Sequence, residues 1–464
     1  MSRILNEETV EKVGEEVTIS GWVDSVRSHG KILFLDLRDK SGIIQVVVNP
    51  QDIEVAEDLR SEWVVEVVGE VKERPDSMVN EDIVTGTIEL KAKKIKVLNQ
   101  SKTPPFQIDD SGKDVSEDIR MKYRYLDVRR DRMQNNLRMR HKVSHFFRNF
   151  LTDEGFIEVE TPILTKSTPE GARDFLVPSR NQPGSFYALP QSPQQYKQLL
   201  MVGGVEKYFQ FARCFRDEDV RADRQAEFTQ LDMELSFIER DDVLDLVEEM
   251  FIKVVEDLFP EKTIKEKPFP RISYDDAMEK WNSDRPDLRE DKNSDELAFA
   301  FVVDFPMFEK FDGGYRAEHH PFTKPEASPE EVKNDPESVK SLQYDLVLNG
   351  EEIGGGSIRT HDPKMLEAIF EVLGHSKEEI RNKFGHLLDA FEYGAPPHGG
   401  IAFGFERFLM IMLDEENIRE VMAFPKTGDG RGLMMDTPSK DVSKKQLEEL
   451  HISLSDELNN EEED

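Results

Sequence analysis

Cysteine is almost missing from this chain of 464 residues, Cys214 being its single representative. One thiol excludes an intramolecular disulfide framework and fits a reducing compartment. Its neighbours Phe211, Ala212 and Phe215 mark it as a small buried residue, the usual fate of a free cysteine, rather than a catalytic thiol. Long apolar runs are missing too. None approaches the roughly 20 residues that cross a bilayer, so no membrane partner is expected. The first residues, with Arg3, Glu7 and Glu8, lack the apolar centre of a signal peptide. A soluble, cytoplasmic protein is the expectation. Positive charge is short: 61 Lys and Arg stand against 95 Asp and Glu, a formal −34. That balance argues against a broadly basic nucleic-acid coat, but a local basic site remains open, because binding depends on where the cations lie. There is no internal repeat, and the one biased run, Asn459 to Asp464, is acidic and reads as a solvated terminus.

The length allows roughly two to four domains and a substantial core. Short strand-like runs at 17–23, 32–38, 43–48 and 87–90, with a turn at Asp39-Lys-Ser-Gly42, predict a small β-barrel over 1–103. In the second run Leu33, Leu35 and Leu37 share one face, leaving Ile32, Phe34, Asp36 and Arg38 on the other. A ring on a mostly polar face is either a platform for single-stranded bases, where stacking contributes roughly 1–3 kcal/mol, or a second apolar face under a loop. Ser101-Lys-Thr-Pro-Pro-Phe breaks the pattern and predicts a linker over 104–136. Apolar residues at helical spacing from Leu137 to Leu151 then open a second domain over 137–464.

The densest chemistry lies at 211–237, FARCFRDEDVRADRQAEFTQLDMELSF. A strand from Phe228 sends Phe228, Gln230, Asp232 and Glu234 to one face and Leu231, Met233 and Leu235 to the other. A ring with two acids suits a flat base and cationic groups. The preceding run can fold back as a hairpin loop, bringing the forks of Arg216, Arg221 and Arg224 onto phosphate oxygens while Glu218 helps hold a metal. The plain alternative is a surface hairpin laced with salt bridges. Farther on, Asn349-Gly350 is a hairpin signal, and Gly354-Gly-Gly356 between Glu352 and Arg359 suggests a strand approached closely by a ligand. Arg407 follows a Gly-rich strand in the first turn of a predicted helix, a position unfavourable to a cation unless an anion sits there. His319 and His320 are adjacent in an extended run and point apart, which disfavours a shared zinc.

Taken in order, six segments resemble the class II aminoacyl-tRNA synthetases, and among them the bacterial-type aspartyl-tRNA synthetases. Gly155 to Asp174 resembles motif 1 and its following loop, 211–237 motif 2, and Gly399 to Arg407 motif 3. Ala188 to Leu200, His319 to Thr323 and Gly350 to Arg359 resemble the segments between them. The resemblance implies an α+β chain, with an N-terminal OB-fold β-barrel plus a class II synthetase catalytic domain built on an antiparallel sheet flanked by helices. It implies ATP and Mg2+, L-aspartate, tRNA-Asp and a homodimer with Pro162 in the dimer interface. Arg216, Glu218, Arg224, Gln225, Phe228 and Arg407 match ATP-binding positions, and Glu352 a magnesium ligand. Arg216, Arg407 and Glu352 are the implied catalytic set. Lys197 and Arg359 match residues that take the aspartate side chain; Ser192, Gln194 and Asp232 lie near its ammonium; Glu170, Gln230, Glu234 and His320 support the pocket. On the barrel, Phe34, Gln45 and Glu89 match anticodon contacts, and His29 resembles a residue of aspartyl enzymes that also charge tRNA-Asn.

Three other readings stand beside this one. Asparaginyl enzymes share the layout, and Gly404-Phe-Glu-Arg407 departs from the Gly-Leu-Asp-Arg usual in bacterial aspartyl enzymes, yet two cations facing a neutral amide would be unbalanced. An inactive tRNA-binding paralogue conflicts with intact Arg216, Glu352 and Arg407, and a tRNA-independent amide ligase would be expected to lack the barrel. The large insertion of bacterial members is expected to be missing. Only 12 residues separate Arg289 from Val302, so a loop near 290–301 takes its place.

Overall fold

The computed structural model describes residues 2–167, 171–292 and 295–455. They form two compact units, 1–131 and 132–464. In the first, strands β1 (Glu16–His29), β2 (Ile32–Asp39), β3 (Gly42–Val48), β4 (Val64–Glu73) and β5 (Ile88–Asn99) close into a barrel of order β1-β2-β3-β5-β4. Alternation fills it: Leu33, Leu35, Leu37, Ile44, Val46, Val65, Val67 and Leu90 point inward. Strand β4 is absent from the four runs read in the sequence, and it is the one that completes the closure between β1 and β5.

The 104–136 segment is more than a linker. Helices Glu117–Lys122 and Arg124–Asp127 occupy it, and a long helix begins at Asp131. Its organising group is Asp127, fully buried, which receives Arg124 Nη1 at 2.6 Å, Arg130 Nε at 2.9 Å and Arg120 Nη1 at 3.5 Å. Arg130 also bonds Asp110 and lies 5.0 Å over the Phe106 ring, so the Pro-Pro-Phe stretch is tied down by charge.

The second unit is an eight-stranded sheet. After β6 (Ile157–Glu158), its strands are β7 (Lys207–Phe215), β8 (Glu227–Ser236), β9 (Arg271–Ser273), β10 (Phe299–Val303), β11 (Gln343–Leu348), β12 (Glu351–Ile358) and β13 (His398–Gly404), in the order β9-β10-β11-β12-β13-β8-β7-β6. The expected antiparallel sheet needs a correction: its centre is antiparallel, but β9 runs parallel to β10 and β6 parallel to β7, so the whole is mixed. The connection expected as a loop over 290–301 is also shorter than predicted. Glu296–Leu297 pairs with Thr263–Ile264, and β10 starts at Phe299, because Leu297, Phe299 and Phe301 bury their side chains in the core.

Helices α1 (Asp131–Asp153) and α2 (Arg240–Leu258) cover one face of this sheet. Phe147, Phe150, Val247 and Phe251 from the helices meet Leu231, Met233, Leu346, Ile401 and Phe403 from the strands. Phe251 and Phe403 have centroids 4.9 Å apart. With that face apolar, the polar residues of β8 are forced to the other.

Removing the carboxylate at the centre of three guanidinium groups should be costly. Asp127→Ala is expected to lower the unfolding free energy by about 3–5 kcal/mol in urea titration, against roughly 0.5 kcal/mol or less for Asp109→Ala on the surface.

Candidate active site

The second face of the sheet carries a cavity of about 380 Å³. Ser192, Gln194, Lys197, Arg216, Glu218, Arg224, Gln225, Phe228, Gln230, Asp232, His320, Glu352, Arg359 and Arg407, all singled out in the sequence, line it. Glu234 lies just behind, and Glu170 falls outside the described residues. The β7–β8 hairpin, paired Phe215 to Glu227, presents the arginine loop at the cavity mouth. Arg216 stands 5.1 Å over the Phe228 ring. Gln225 is fixed by the Lys426 amide, which donates to its Oε1 at 3.0 Å.

Four buried charges form the deep end. Lys197 Nζ lies 2.5 Å from Asp232 Oδ1 and 3.2 Å from Glu234 Oε2. Arg359 donates to both Glu234 oxygens, Nε at 2.8 Å and Nη2 at 3.0 Å, and its Nη1 donates to Ser357 Oγ at 2.7 Å. Burial alone would raise Glu234, but Arg359 and Lys197 outweigh it and hold the carboxyl at about 2. Asp232 is pushed up by burial, and its Oδ2 has no partner, an acceptor left for a ligand. His320 is driven well below the usual imidazole range by burial, with Arg359 and Lys197 adding to the effect.

A second acidic group sits at the opposite wall. Asp345, which the sequence reading passed over, takes bonds from Gln343 Nε2 at 2.8 Å and His319 Nε2 at 3.0 Å. His319 thus turns toward Asp345; burial opposes its charge, but Asp345 together with Glu352 and Glu318 pushes it up to about 9. Glu352 is raised by burial and by Asp345. A Cβ at Gly355 would lie 3.0 Å from Asp345 Oδ1 and 3.4 Å from Glu352 Oε1, so the missing side chain leaves a gap between two carboxylates. Hard oxygen donors around such a gap fit Mg2+.

Motif-3-like residues close the mouth. Arg407, in the first turn of the Phe405–Met412 helix, is anchored to Glu352 O and to Asp223 Oδ2, while its Nε is buried and without a partner. Glu406, the departure from the usual Asp, is a structural acid: its Oε2 accepts from the Thr229 amide at 2.9 Å and its Oε1 from Arg140 Nη2 at 2.8 Å.

In the first unit the outer face of β2, β3 and β5 gathers a second set. Phe34 is half-buried and registers with Arg27, and Gln45 Nε2 donates to Glu89 Oε2 at 3.3 Å. Arg27 bonds Asp36, and Arg74, also missed in the sequence, lies within electrostatic reach of Glu89 and Asp36 with a buried, unpartnered Nη2. His29 is the last residue of β1, and it is exposed.

Residues 116–428 match the family described as tRNA synthetases class II (D, K and N), and residues 17–98 an OB-fold nucleic acid binding domain. An aspartate–tRNA(Asp/Asn) ligase of Natranaerobius thermophilus is 43% identical, over 96% of this chain and 98% of its own. An aspartate–tRNA ligase of Macrococcus caseolyticus is 40% identical, over 96% of each. The solved asparaginyl-tRNA synthetase of Pyrococcus horikoshii, complexed with asparaginyl-adenylate, aligns with a TM-score of 0.75 at 27% identity, covering 92% of this chain and 98% of that one. The Natranaerobius alignment runs over 578 positions against 464 residues here, so at least 114 positions have no residue in this chain.

The glycines of β12 should separate site from fold. Gly355→Ala is expected to keep the structure but, if the gap holds Mg2+, to show less thermal stabilisation by Mg2+ with ATP than the wild type. Gly356→Ala should unfold the sheet, since its Cβ would come within 2.3 Å of Gly400 O and 2.6 Å of Tyr344. Scanning calorimetry of both variants with and without ligand checks this.

Proposed function

Since the chain belongs to the class II tRNA synthetases of the D, K and N group, we infer that it is an aspartate–tRNA ligase. It activates L-aspartate with ATP and passes the aspartyl group to the 3′ end of tRNA-Asp, and of tRNA-Asn as well. The observation that carries the amino-acid choice is the pair Lys197 and Arg359, two buried cations beside the unpartnered Asp232 Oδ2. A substrate with a side-chain carboxylate and an ammonium group matches both ends. The second acceptor rests on His29 and on relatives named for both tRNAs.

In this reading the aspartate α-carboxylate attacks the α-phosphorus of ATP in line, pyrophosphate leaves, and the tRNA's terminal hydroxyl then takes the aspartyl group from the adenylate. Such chemistry needs positioning and charge neutralisation more than a side-chain nucleophile. Arg216 holds the α-phosphate, Glu218, Arg224 and Gln225 engage the nucleotide, and Phe228 stacks on adenine with Arg407 on its other side. Glu352 and Asp345 would hold Mg2+, which would supply counter-charge to the phosphates. Lys197 and Arg359 take the side-chain carboxylate, and Ser192, Gln194 and Asp232 the ammonium. Gln230, Glu234 and His320 support them, as does Glu170 in the family pattern. Phe34, Gln45 and Glu89 read the anticodon.

The active form is a cytoplasmic homodimer. Strand β6 is an open edge of the sheet, and Ile157, Ile163 and Leu164 around Pro162 are 55%, 39% and 52% exposed. An edge strand flanked by exposed apolar groups fits a second copy of the chain. Asparagine is disfavoured as substrate because its side-chain amide would bring N–H donors against the donors of Lys197 and Arg359, where a carboxylate only accepts.

Pyrophosphate exchange into ATP should depend on aspartate; equal support by asparagine would overturn the reading. Arg359→Lys keeps the charge but loses the two-pronged bond to Glu234, and kcat/KM for aspartate should fall by about 100-fold or more. Arg359→Leu is a poorer probe, because Glu234 would lose its two-pronged partner while buried and the fold would suffer too. Phe34→Ala should weaken tRNA charging by roughly 5- to 150-fold, the range of ~1–3 kcal/mol for a stacked base, and leave pyrophosphate exchange intact. Loss of both activities would make Phe34 a core residue.

A further inference from the structure

One fully buried histidine has no part in the reaction as described. His398 opens β13, and its carbonyl accepts from the Arg359 amide at 2.8 Å. Its Nδ1 lies 2.8 Å from Pro396 O, and its Nε2 lies 3.2 Å from Gln198 Nε2. Gln198, also fully buried, accepts at Oε1 from Gln194 Nε2 at 3.1 Å. Gln194 lines the cavity.

The polarity of this chain is settled from one end. A proline carbonyl can only accept, so Nδ1 must carry the proton. A neutral ring then has only a lone pair at Nε2. Gln198 must therefore turn its amino group to the ring and its oxygen to Gln194. Gln194, in turn, must spend its amino group on Gln198, and its own oxygen is left for the cavity.

We propose that His398 is a positioning residue for the substrate ammonium, acting through Gln198 to make Gln194 present an oxygen to the cavity rather than an amino group. The proposal rests on the reading above, in which the ammonium lies beside Gln194 and Asp232. An amide alone has no strong reason to choose one face, because its two ends differ little in shape. A donor facing a cation would repel it. With the relay in place, the Gln194 oxygen joins the unpartnered Asp232 Oδ2 as a second acceptor. The surroundings keep the ring neutral: burial disfavours its charge, and with Arg359 and His361 it outweighs Glu234 and the Pro396 carbonyl, which favour protonation. The Phe391 ring packs against it with centroids 6.1 Å apart.

The test compares His398→Leu, which removes the acceptor, with His398→Gln, whose oxygen falls near the Nε2 position. In the full-length protein His398→Leu is expected to raise the KM and Kd for aspartate by about 10- to 100-fold, the effect of losing one hydrogen bond to a charged group. KM for ATP and kcat should stay within about twofold. His398→Gln should recover most of the loss. Succinate, which is aspartate without its ammonium, should bind both variants as it binds the wild type. Equal loss for succinate, parallel loss of ATP affinity, or no difference between the two variants would overturn the proposal. If His398→Leu does not fold, the wild type still decides: ring ¹⁵N spectra should show His398 protonated at Nδ1, and an Nε2–H tautomer would refute the relay. A wild type that fails to bind aspartate would instead refute the functional reading, which separates the two.

Discussion

Four charges out of water, Lys197, Asp232, Glu234 and Arg359, are the constraint around which the catalytic unit is arranged. Desolvating an ion costs several kcal/mol even after relaxation, and attraction within the group offsets that only when geometry is close and the remaining donors and acceptors are satisfied. Here the formal charges balance, two against two. Arg359 places four hydrogen bonds, two on Glu234 and one each on Ser357 and Gly400. One oxygen, Asp232 Oδ2, is buried without a hydrogen bond, on a residue that lines the cavity. The cluster is therefore self-supporting without ligand and still one partner short, as a specific pocket should be.

Such a cluster dictates what its neighbours can be. Gly400 sits opposite Glu234 across the β8–β13 ladder, and a Cβ there would fall 2.3 Å from Glu234 Oε2 and 2.0 Å from Met233 O. A glycine is needed because the acid has taken the space. Gly400 O in turn accepts from Tyr344 Oη at 3.0 Å, which is buried and pushed far up by that burial, so the phenol remains a neutral donor. The glycine runs of β12 and β13 thus cost the sheet intrinsic stability, and the phenylalanines on its far face compensate, with Phe251 against Phe403 and Phe408 at 4.9 and 5.1 Å.

Much of this was legible because one strand carries its own instruction. The alternation from Phe228 to Leu235 places three apolar residues in the core and the polar set in the cavity, as the period of a strand requires. Asp345 was not legible for a reason of register. The Asn349-Gly350 turn, with φ of 54° and 85°, fixes Leu348 opposite Glu351 and Val347 opposite Glu352, but an irregularity between Leu346 and Val347 then pairs Asp345 with Gly355. An unbroken ladder would have set Asp345 opposite Gly354. No sequence pattern announces the extra residue, yet it brings the second carboxylate to the gap at Gly355. His398 was hidden differently, since its partners Gln198 and Pro396 have no relation in sequence that signals a relay.

Extra length of the kind found in the relatives, placed where the sequence leads one to expect it, can be understood on the same sheet. In this chain the run between Arg289 and Val302 leads into β10, next to the sheet edge, whereas the cavity is floored by β12, β13 and β8. Neighbouring strands lie about 4.8 Å apart, so β10 and β12, two places apart, are separated by roughly 10 Å of packed sheet. A module grafted on that run would leave from the flank, away from the four-charge cluster, although Val302 at the end of the run pairs with Asp345. Closure entropy grows slowly with loop length, so the folding free energy is nearly indifferent to whether 12 residues or a domain bridge the gap. What the short form must still supply is register for β10. The core positions of Leu297, Phe299 and Phe301, together with the pairing of Glu296–Leu297 onto Thr263–Ile264, supply it locally.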